Sequence, residues 1–260
     1  MVGFVGLSQQ KRRLIGRLRL RKSRKTEGLV LVEGVRAVQE ALDAEADVRF
    51  VVTSEKIECT TAGVDLAEFI SRRSLDVTSV TAKELGVLAD TKNPQGVLMV
   101  CKERRIDLRD ILQSGGRYLV LDSVQDPGNV GTLIRAAVAF AVDGVITLDG
   151  TADTWGPKAV RASVGTVFRL AIAHAGAREA VRAITEAGIP LWVADPEAPN
   201  LSERPDNKGF ALVVANEGVG PRQAVLDAAE HSVGIPISGQ VDSLNVAVAG
   251  SILLYELTKA

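Results

Sequence analysis

The chain has 260 residues, enough for one large domain or two ordinary ones, and its 46% hydrophobic content supports a buried core. No apolar stretch is long enough to cross a bilayer, and two cysteines with two histidines exclude a disulfide framework and a structural zinc site. We therefore expect a cytoplasmic protein with no metal and no membrane partner.

The net charge of −1 conceals an asymmetry between the two halves of the chain. Residues 1–105 carry 19 Lys and Arg against 14 Asp and Glu, whereas residues 106–260 carry 12 against 18. Nine of the basic residues lie between positions 11 and 25. Such a cluster is typical of a phosphate-binding surface, although a solvated helix would have the same composition. Only 4% of the residues are aromatic, which favours backbone contacts over base stacking.

Hydrophobic periodicity and turn signals in the first half predict a mixture of helices and strands. Helices are expected at residues 9–24, 35–44 and 65–73, and strands at 29–32, 50–52, 76–80 and 97–101, the last after a turn at 93–96. Residues 106–116 are first charged and then glycine-containing, as linkers often are. We therefore predict two domains, 1–105 and 117–260, joined by a linker at 106–116.

The second half alternates apolar runs with helical stretches. The runs lie at residues 118–121, 145–148, 170–173, 191–193, 211–214 and 233–235. Strands that are apolar on both faces and separated by helices indicate a parallel sheet that is covered on both sides. We therefore predict an α/β domain whose ligand binds at the carboxyl ends of the strands.

A polar, glycine-containing segment follows the first of these strands, at residues 122–131, and precedes a helix that contains Arg135. The start of a helix offers unpaired N–H groups to an anion. We place Arg135 one turn inside the helix, within reach of a phosphate bound there. A plain strand-to-helix connection with a surface arginine is the alternative.

Two further segments follow later strands. In the first, at residues 215–221, Glu217 orients a ligand or caps the next helix. In the other, Ser243 is predicted to cap a final helix at 244–257, and the amide of Asn245 needs partners if that helix is buried. The final helix is apolar nearly all round, which indicates burial in the core or in a subunit interface.

In this order, and over residues 118–257, the three segments resemble the motifs of the SpoU/TrmH branch of the SPOUT methyltransferases. The family's polar positions correspond to Asn129, Arg135, Glu217, Ser243 and Asn245. Two positions depart from the usual pattern, with Ala215 in place of Gly and Ile237 in place of Met. Residues 33–38 and 94–97 resemble the ribosomal-protein-like substrate-binding domain that many of these enzymes carry.

The resemblance implies an RNA ribose 2′-O-methyltransferase that takes its methyl group from S-adenosylmethionine. The two-domain layout favours large-subunit rRNA as the substrate over tRNA. Family members have a deep trefoil knot and form homodimers in which the partner completes the active site. Backbone groups around Ala215, Gly218, Ile235 and Leu244 are expected to hold the cofactor.

The 2′-hydroxyl must lose its proton around the time of attack. Arg135 is the family's candidate for its activation, but a guanidinium stays protonated at ordinary pH. We therefore expect it to grip the adjacent phosphate and stabilise the oxyanion, leaving the proton to a phosphate oxygen or water. The remaining site residues would hold Arg135 and the ribose in register. The expected RNA contacts are Lys22, Arg24, Lys25 and Arg36, with Arg161 as a second phosphate clamp.

Two rival functions remain open at this point. A dinucleotide oxidoreductase would explain a strand, a turn and a helix, but the turn at 128–131 lacks the G-x-G-x-x-G spacing, and the other two segments stay unexplained. A non-catalytic RNA-binding protein on the same fold has no need to keep Asn129, Arg135 and Ser243 together.

Overall fold

The computed structural model describes residues 6–198, 209–216, 218–241 and 243–259. The chain divides into two compact units. The first comprises Met1–Arg104 with Asp153–Arg169, and the second comprises Arg105–Ala152 with Leu170–Ala260.

The α-helices and strands are numbered along the chain. The helices are α1 (Gln9–Leu18), α2 (Arg21–Glu27), α3 (Val35–Asp43), α4 (Thr61–Ser71), α5 (Ala82–Leu88), α6 (Leu108–Ile111), α7 (Pro127–Ala139), α8 (Pro157–Ala162), α9 (Ala177–Glu186), α10 (Gln223–Leu226) and α11 (Val246–Thr258). The strands are β1 (Leu29–Glu33), β2 (Val48–Thr53), β3 (Val77–Ser79), β4 (Val97–Lys102), β5 (Arg117–Asp122), β6 (Gly144–Leu148), β7 (Ala171–Ala175), β8 (Leu191–Ala194), β9 (Phe210–Ala215) and β10 (His231–Val233).

The first unit is built on a four-stranded sheet in the order β1-β4-β2-β3. β4 runs antiparallel to both β1 and β2, whereas β3 pairs parallel to β2. One face of the sheet packs against α1 and α5 through a core that includes Ile15, Leu18, Leu31, Leu85 and Leu98. The four strands lie where the apolar runs of the first half predicted them.

The prediction of one continuous helix over residues 9–24 is wrong. α1 ends at Leu18, and Leu20 has an extended backbone before α2 begins. The guanidinium of Arg24 folds back and donates to the carbonyls of Leu18 and Arg19, at 2.7 and 2.8 Å. These carbonyls at the end of α1 are thus satisfied by a side chain instead of by a further helical turn.

Helix α5 was not predicted, although its start carries a recognisable signal. Thr81 and Glu84 form a capping box, in which the Thr81 hydroxyl accepts from the Glu84 N–H and the Glu84 carboxylate accepts from the Thr81 N–H. The Thr81 N–H, followed by the Arg12 guanidinium, lowers the pKa of Glu84 from its ordinary value. The ion pair between Glu84 and Arg12 therefore connects the start of α5 to α1.

The second unit contains a six-stranded sheet in the order β10-β8-β9-β5-β6-β7, and all its pairings are parallel. The predicted α/β fold with a parallel sheet is confirmed. From β5 the chain moves outward through β6 and β7, and then crosses to β8 and β9 on the other side. The strand order therefore reverses between β5 and β9, and such a switch point is where open α/β sheets bind ligands.

Two segments lie differently from the simple division into domains. Residues 106–116, expected to be a linker, contain α6, whose Leu108 and Ile111 are buried in the core of the second unit. Residues 153–169, expected to belong with the C-terminal half, instead cluster with the first unit. Gly165 lies so close to Ala37 that an added Cβ would be 2.8 Å from its Cα atom.

The turn predicted at residues 93–96 depends on Gly96. Its φ is +88°, and an added Cβ would lie 2.2 Å from the backbone nitrogen of Ile57. We predict that Gly96→Ala lowers the free energy of unfolding by about 3 kcal/mol, because it combines a disfavoured φ with a backbone clash. Urea denaturation followed by circular dichroism measures this loss.

Gly28 provides the matched control, since its φ is +63° but an added Cβ would meet nothing within 4 Å. Gly28→Ala should cost only about 1 kcal/mol, the price of the left-handed conformation. Equal losses in the two variants would contradict the steric explanation for Gly96.

Candidate active site

A cavity lies at the carboxyl ends of β8, β9 and β10, beside the start of α11. The space between its walls, including the open mouth, is about 750 Å³. Its lining residues are Ala194, Asp195, Pro196, Val214, Ala215, Asn216, Gly220, Pro221, Val233, Gly234, Ile235, Ile237, Ser243, Leu244, Val246, Ala249 and Leu253. These walls are mainly apolar, with one carboxylate and no basic side chain among the described lining residues.

A buried carboxylate fixes the junction between β5 and β9. Asp122 has 0% of its surface exposed, accepts from the Arg222 N–H at 2.8 Å, and lies 3.4 Å from the Arg222 Nε. Its carbonyl accepts from the N–H of Asn216 at 3.1 Å. The next residue, Ser123, has a φ of +59°, which turns the chain sharply out of the strand. Asp122 therefore attaches the loop after β9 to the end of β5.

Asn216 shapes the loop that follows β9. Its Oδ1 accepts from the N–H groups of Gly218 and Val219, at 2.9 and 3.3 Å. Ala215 lines the cavity, whereas Gly218 lies in the adjoining turn and is not among the lining residues. Glu217, also predicted to belong to the site, lies outside the described residues.

The first and third polar segments meet through two amides. Asn245 Nδ2 donates to Asn129 Oδ1 at 3.2 Å. The Oδ1 of Asn245 accepts from the N–H groups of Ala247 and Val248, at 3.0 and 3.3 Å. One side chain thus caps α11 and binds the start of α7.

Asn245, and not Ser243, is the N-cap of the last helix, so the predicted cap is wrong. Asn245 is exposed, and its side chain has both the capping bonds and the bond to Asn129. Ser243 lies two residues earlier and lines the cavity, as do Leu244 and Ile235. Three of the four predicted cofactor positions therefore lie on one cavity.

Asp195 was not singled out from the sequence, although it supplies the carboxylate of the cavity wall. Its Oδ1 accepts from the N–H of Glu197 at 2.9 Å, which holds the turn after β8. Gly234 packs against this turn, where an added Cβ would be 2.3 Å from the Ala198 carbonyl oxygen. The sequence signal was an acidic residue directly after an apolar strand.

The start of α7 differs from the expectation of an open anion site. Asp126 Oδ1 accepts from the N–H groups of Gly128 and Asn129, at 2.5 and 3.2 Å, so a side chain of the protein already satisfies them. Arg135 is exposed and lies eight residues beyond Pro127, which is about 12 Å along the helix axis. It is therefore more than two turns inside α7, and not one turn as predicted.

The RNA contacts predicted in the first unit differ in their exposure to solvent. Lys22, Lys25 and Arg36 are exposed. Arg24 is only 4% exposed, pairs with Asp153 at 2.5 Å, and bonds to two backbone carbonyls. The expectation that Arg24 contacts RNA is therefore wrong, because its guanidinium is already fully engaged within the fold.

Arg161 was expected to clamp a phosphate, but it faces acidic groups instead. Its Nη2 lies 2.7 Å from a carboxylate oxygen of Asp90, and its Nη1 lies 3.8 Å from Glu33. Glu33 is buried and accepts from the N–H groups of Asp90 and Thr91. Arg161 therefore belongs to an internal ion-pair network, at the edge of a cleft that Arg36 also lines.

The role of Arg24 can be tested by stability. We predict that Arg24→Met lowers the free energy of unfolding by about 3 kcal/mol, because it leaves Asp153 largely buried and unpaired. Chemical denaturation measures the loss. Lys22→Met, two residues away on the same helix and exposed, should change stability by less than about 0.5 kcal/mol. A stable Arg24→Met protein would contradict the structural role.

Membrane-spanning helices and metal-binding clusters were sought among the described residues. They include no helix that is both long and apolar enough to span a membrane. They also include no group of three or more His, Cys, Asp or Glu side chains that could hold a metal ion.

Two family models match the chain. The SpoU rRNA Methylase family matches residues 116–255, which include the cavity and both amides of the Asn129–Asn245 pair. The MRM3-like substrate binding domain matches residues 10–99. The matched ranges agree with the two stretches of resemblance seen in the sequence.

Relatives and solved structures align over nearly the whole chain. A 23S rRNA (guanosine(2553)-2′-O)-methyltransferase of Bacillus subtilis is 32% identical, with 93% of each chain covered. The AdoMet-bound rRNA methyltransferase of Sinorhizobium meliloti has a TM-score of 0.85 and 30% identity, covering 97% of this chain and 95% of that one. The AdoMet complex of the SpoU methyltransferase AviRb from Streptomyces viridochromogenes has a TM-score of 0.82 and 26% identity, with 96% and 97% covered.

The resemblance, the fold class and the enzyme class predicted from the three polar segments are confirmed. The cofactor predicted from the sequence is also the one bound in two of these relatives. The chain belongs to the SpoU rRNA methylase family.

Proposed function

We propose that the chain transfers a methyl group from S-adenosylmethionine to a ribose 2′-hydroxyl of large-subunit rRNA. The hydrogen bond between Asn129 and Asn245 is the observation that carries the proposal. It joins the first polar segment to the third, whose Ser243 and Leu244 line the cavity. The Bacillus subtilis relative, which acts on 23S rRNA, supports this substrate over tRNA.

The cavity fits S-adenosylmethionine by the chemistry of its lining, which is mainly apolar with a few polar groups, as is usual for small-molecule sites. Apolar side chains such as Leu244 and Leu253 suit the adenine ring, and the Asp195 carboxylate can accept from hydroxyl or ammonium groups. A wall without basic side chains among its described residues also suits a cationic sulfonium. Ala215, Gly218, Ile235 and Leu244 are the proposed cofactor-binding residues.

The bound cofactor supplies an electrophilic methyl group, and the protein must position the ribose and accommodate the charge of its oxygen. The Nδ2 group of Asn129 has no hydrogen-bond acceptor among the residues that the structure describes, so it can donate to the ribose or to the phosphate. Arg135 holds the adjacent phosphate and stabilises the developing oxyanion through its N–H groups. The hydroxyl proton leaves to a phosphate oxygen or to water. Ser243, Asn245 and Glu217 complete the proposed catalytic set.

Arg135 is not among the residues that line the cavity of its own chain. We therefore propose that a second copy supplies it. The exposed face of α11 supports a homodimer, because Val248, Ile252 and Tyr255 recur at helical spacing and are 48%, 38% and 50% exposed. Tyr255 also packs against Phe140, which follows α7, with ring centroids 5.8 Å apart. We also propose that the methyltransferase domain contains the trefoil knot of the family.

The proposal for Arg135 is tested by its removal. Arg135→Ala should reduce methyl incorporation into RNA by at least about 1,000-fold, because a charge-stabilising group is lost from the transition state. Calorimetric affinity for S-adenosylmethionine should be nearly unchanged. Incorporation of tritiated methyl groups into unmodified large-subunit rRNA measures activity.

Arg182→Ala is the matched control, since Arg182 is an exposed helical arginine with a side chain 75% exposed on α9. It should leave activity intact. Retention of most activity by Arg135→Ala would refute the catalytic role. RNA binding by the wild type without methyl incorporation would favour a non-catalytic binding protein, and binding of NADH in place of S-adenosylmethionine would favour an oxidoreductase.

The dimer proposal has its own test. Val248→Asp should convert the protein from dimer to monomer in size-exclusion chromatography with light scattering, because it places a charge in an apolar interface. Val87→Asp is the control, since Val87 is 75% exposed in the first unit. A monomeric wild type would contradict the dimer.

We further propose that residues 1–105 bind the RNA substrate, that residues 106–116 connect to residues 117–260, and that the latter carry the methyltransferase site. The match to a substrate binding domain over residues 10–99 supports the first assignment. Lys22, Lys25 and Arg36 are the exposed cations that remain from the predicted RNA contacts. Ribosomal RNA as substrate implies a cytoplasmic location.

A further inference from the structure

The nine cations between residues 11 and 25 do not form one uniform surface. Five of them make ion pairs or backbone hydrogen bonds within the first unit. These are Lys11 with Asp76, Arg12 with Glu84, Arg17 with Glu27, Arg19 with the carbonyls of Leu88 and Ala89, and Arg24 with Asp153. The cluster therefore serves partly to attach α1 and α2 to the rest of the unit.

One exposed face of α1 carries Arg13 and Arg17. These two side chains line a shallow groove together with Gln10, with Gly16 between the two arginines, and with Leu20 in the segment after α1. Arg13 is exposed and makes no ion pair with a described residue. Arg17 pairs with Glu27 at 3.0 Å while its side chain remains 57% exposed. Leu20 is 63% exposed.

Gly16 lies at the centre of this face and has no structural reason to be glycine. It is in the interior of a helix, where glycine is unfavourable relative to alanine. An added Cβ would meet nothing within 4 Å, so no neighbouring group in the fold requires the position to be small. A glycine at such a site is understandable if another molecule approaches the helix backbone there.

We propose that this face of α1 is a docking surface for the sugar-phosphate backbone of RNA. Arg13, beside the notch at Gly16, and Arg21, exposed at the start of α2, bind phosphates. Arg17 stays paired with Glu27 at the edge of the groove, and Leu20 packs against a ribose or a base. This inference rests on the proposed function, because it takes RNA as the substrate.

The experiment uses the full chain and unmodified large-subunit rRNA, with affinity measured by filter binding at several KCl concentrations. Gly16→Ala should raise the thermal midpoint and yet weaken RNA binding about fivefold, since a methyl group fills the notch. Gly86→Ala is the matched control. Gly86 is also exposed inside a helix of the first unit with open space at its Cβ. This variant should gain stability without losing RNA affinity.

A double variant, Arg13→Gln with Arg21→Gln, tests the charges independently of the helix backbone. Its salt slope should fall by about 1.5, as expected for two lost phosphate contacts, and its affinity by about tenfold. Arg72→Gln with Arg182→Gln removes the same charge from other exposed sites and should leave the slope unchanged.

Unchanged RNA affinity in both the Gly16→Ala protein and the double variant overturns the proposal and leaves this face to another partner. Methyl incorporation at saturating RNA is measured in parallel. A wild type that binds RNA through this face but transfers no methyl group would refute the proposed function and not the docking surface. Normal methyl transfer by the wild type, with RNA binding unaltered in the variants, would refute the docking surface and not the proposed function.

Discussion

The second unit depends on one buried charge at the end of its central strand. The Asp122 carboxylate has no access to solvent, and an isolated ion in that position would cost several kcal/mol, so it must be paired. Arg222 supplies both a backbone N–H and its guanidinium, and this guanidinium also donates to the Ser123 hydroxyl and to the Asp149 carbonyl. Because Arg222 follows the loop after β9, pairing Asp122 also positions the loop that lines the cavity. Fold and site are therefore stabilised by the same contact.

Most strands, and the parallel sheet of the second unit, could be predicted because each strand carries its own signal in the sequence. A run such as residues 211–214 is apolar on both faces, which only a sheet covered on both sides can bury. The connection of polar segments to strand ends then follows, since parallel strands bring their carboxyl ends to one edge. Asn129 and Asn245, 116 residues apart in sequence, were expected at one site from this geometry together with the family resemblance, and their side chains are in hydrogen-bond contact.

The sequence could not predict which groups within the fold would pair with each polar side chain. The sequence displays the charge of Arg24 and Arg161, but not the carboxylates of Asp153 and Asp90 that neutralise them from distant positions. A serine before a helix is as good a cap as an asparagine, so the local preference could not separate Ser243 from Asn245. Asp126 likewise competes with a bound anion for the first N–H groups of α7. In each case a contact within the fold uses a group that composition alone assigned to a ligand.

The same competition limits how the protein can bind RNA. Residues 106–260 carry an excess of acidic groups, so attraction to a polyanion must come chiefly from the first 105 residues. Each cation paired within the fold contributes little to that attraction, because its field is cancelled by a nearby carboxylate. The exposed arginines and lysines outside these ion pairs remain to release counterions. Because only 4% of the residues are aromatic, base stacking can contribute little, and we expect recognition to rely on the phosphate backbone and the shape of the folded RNA.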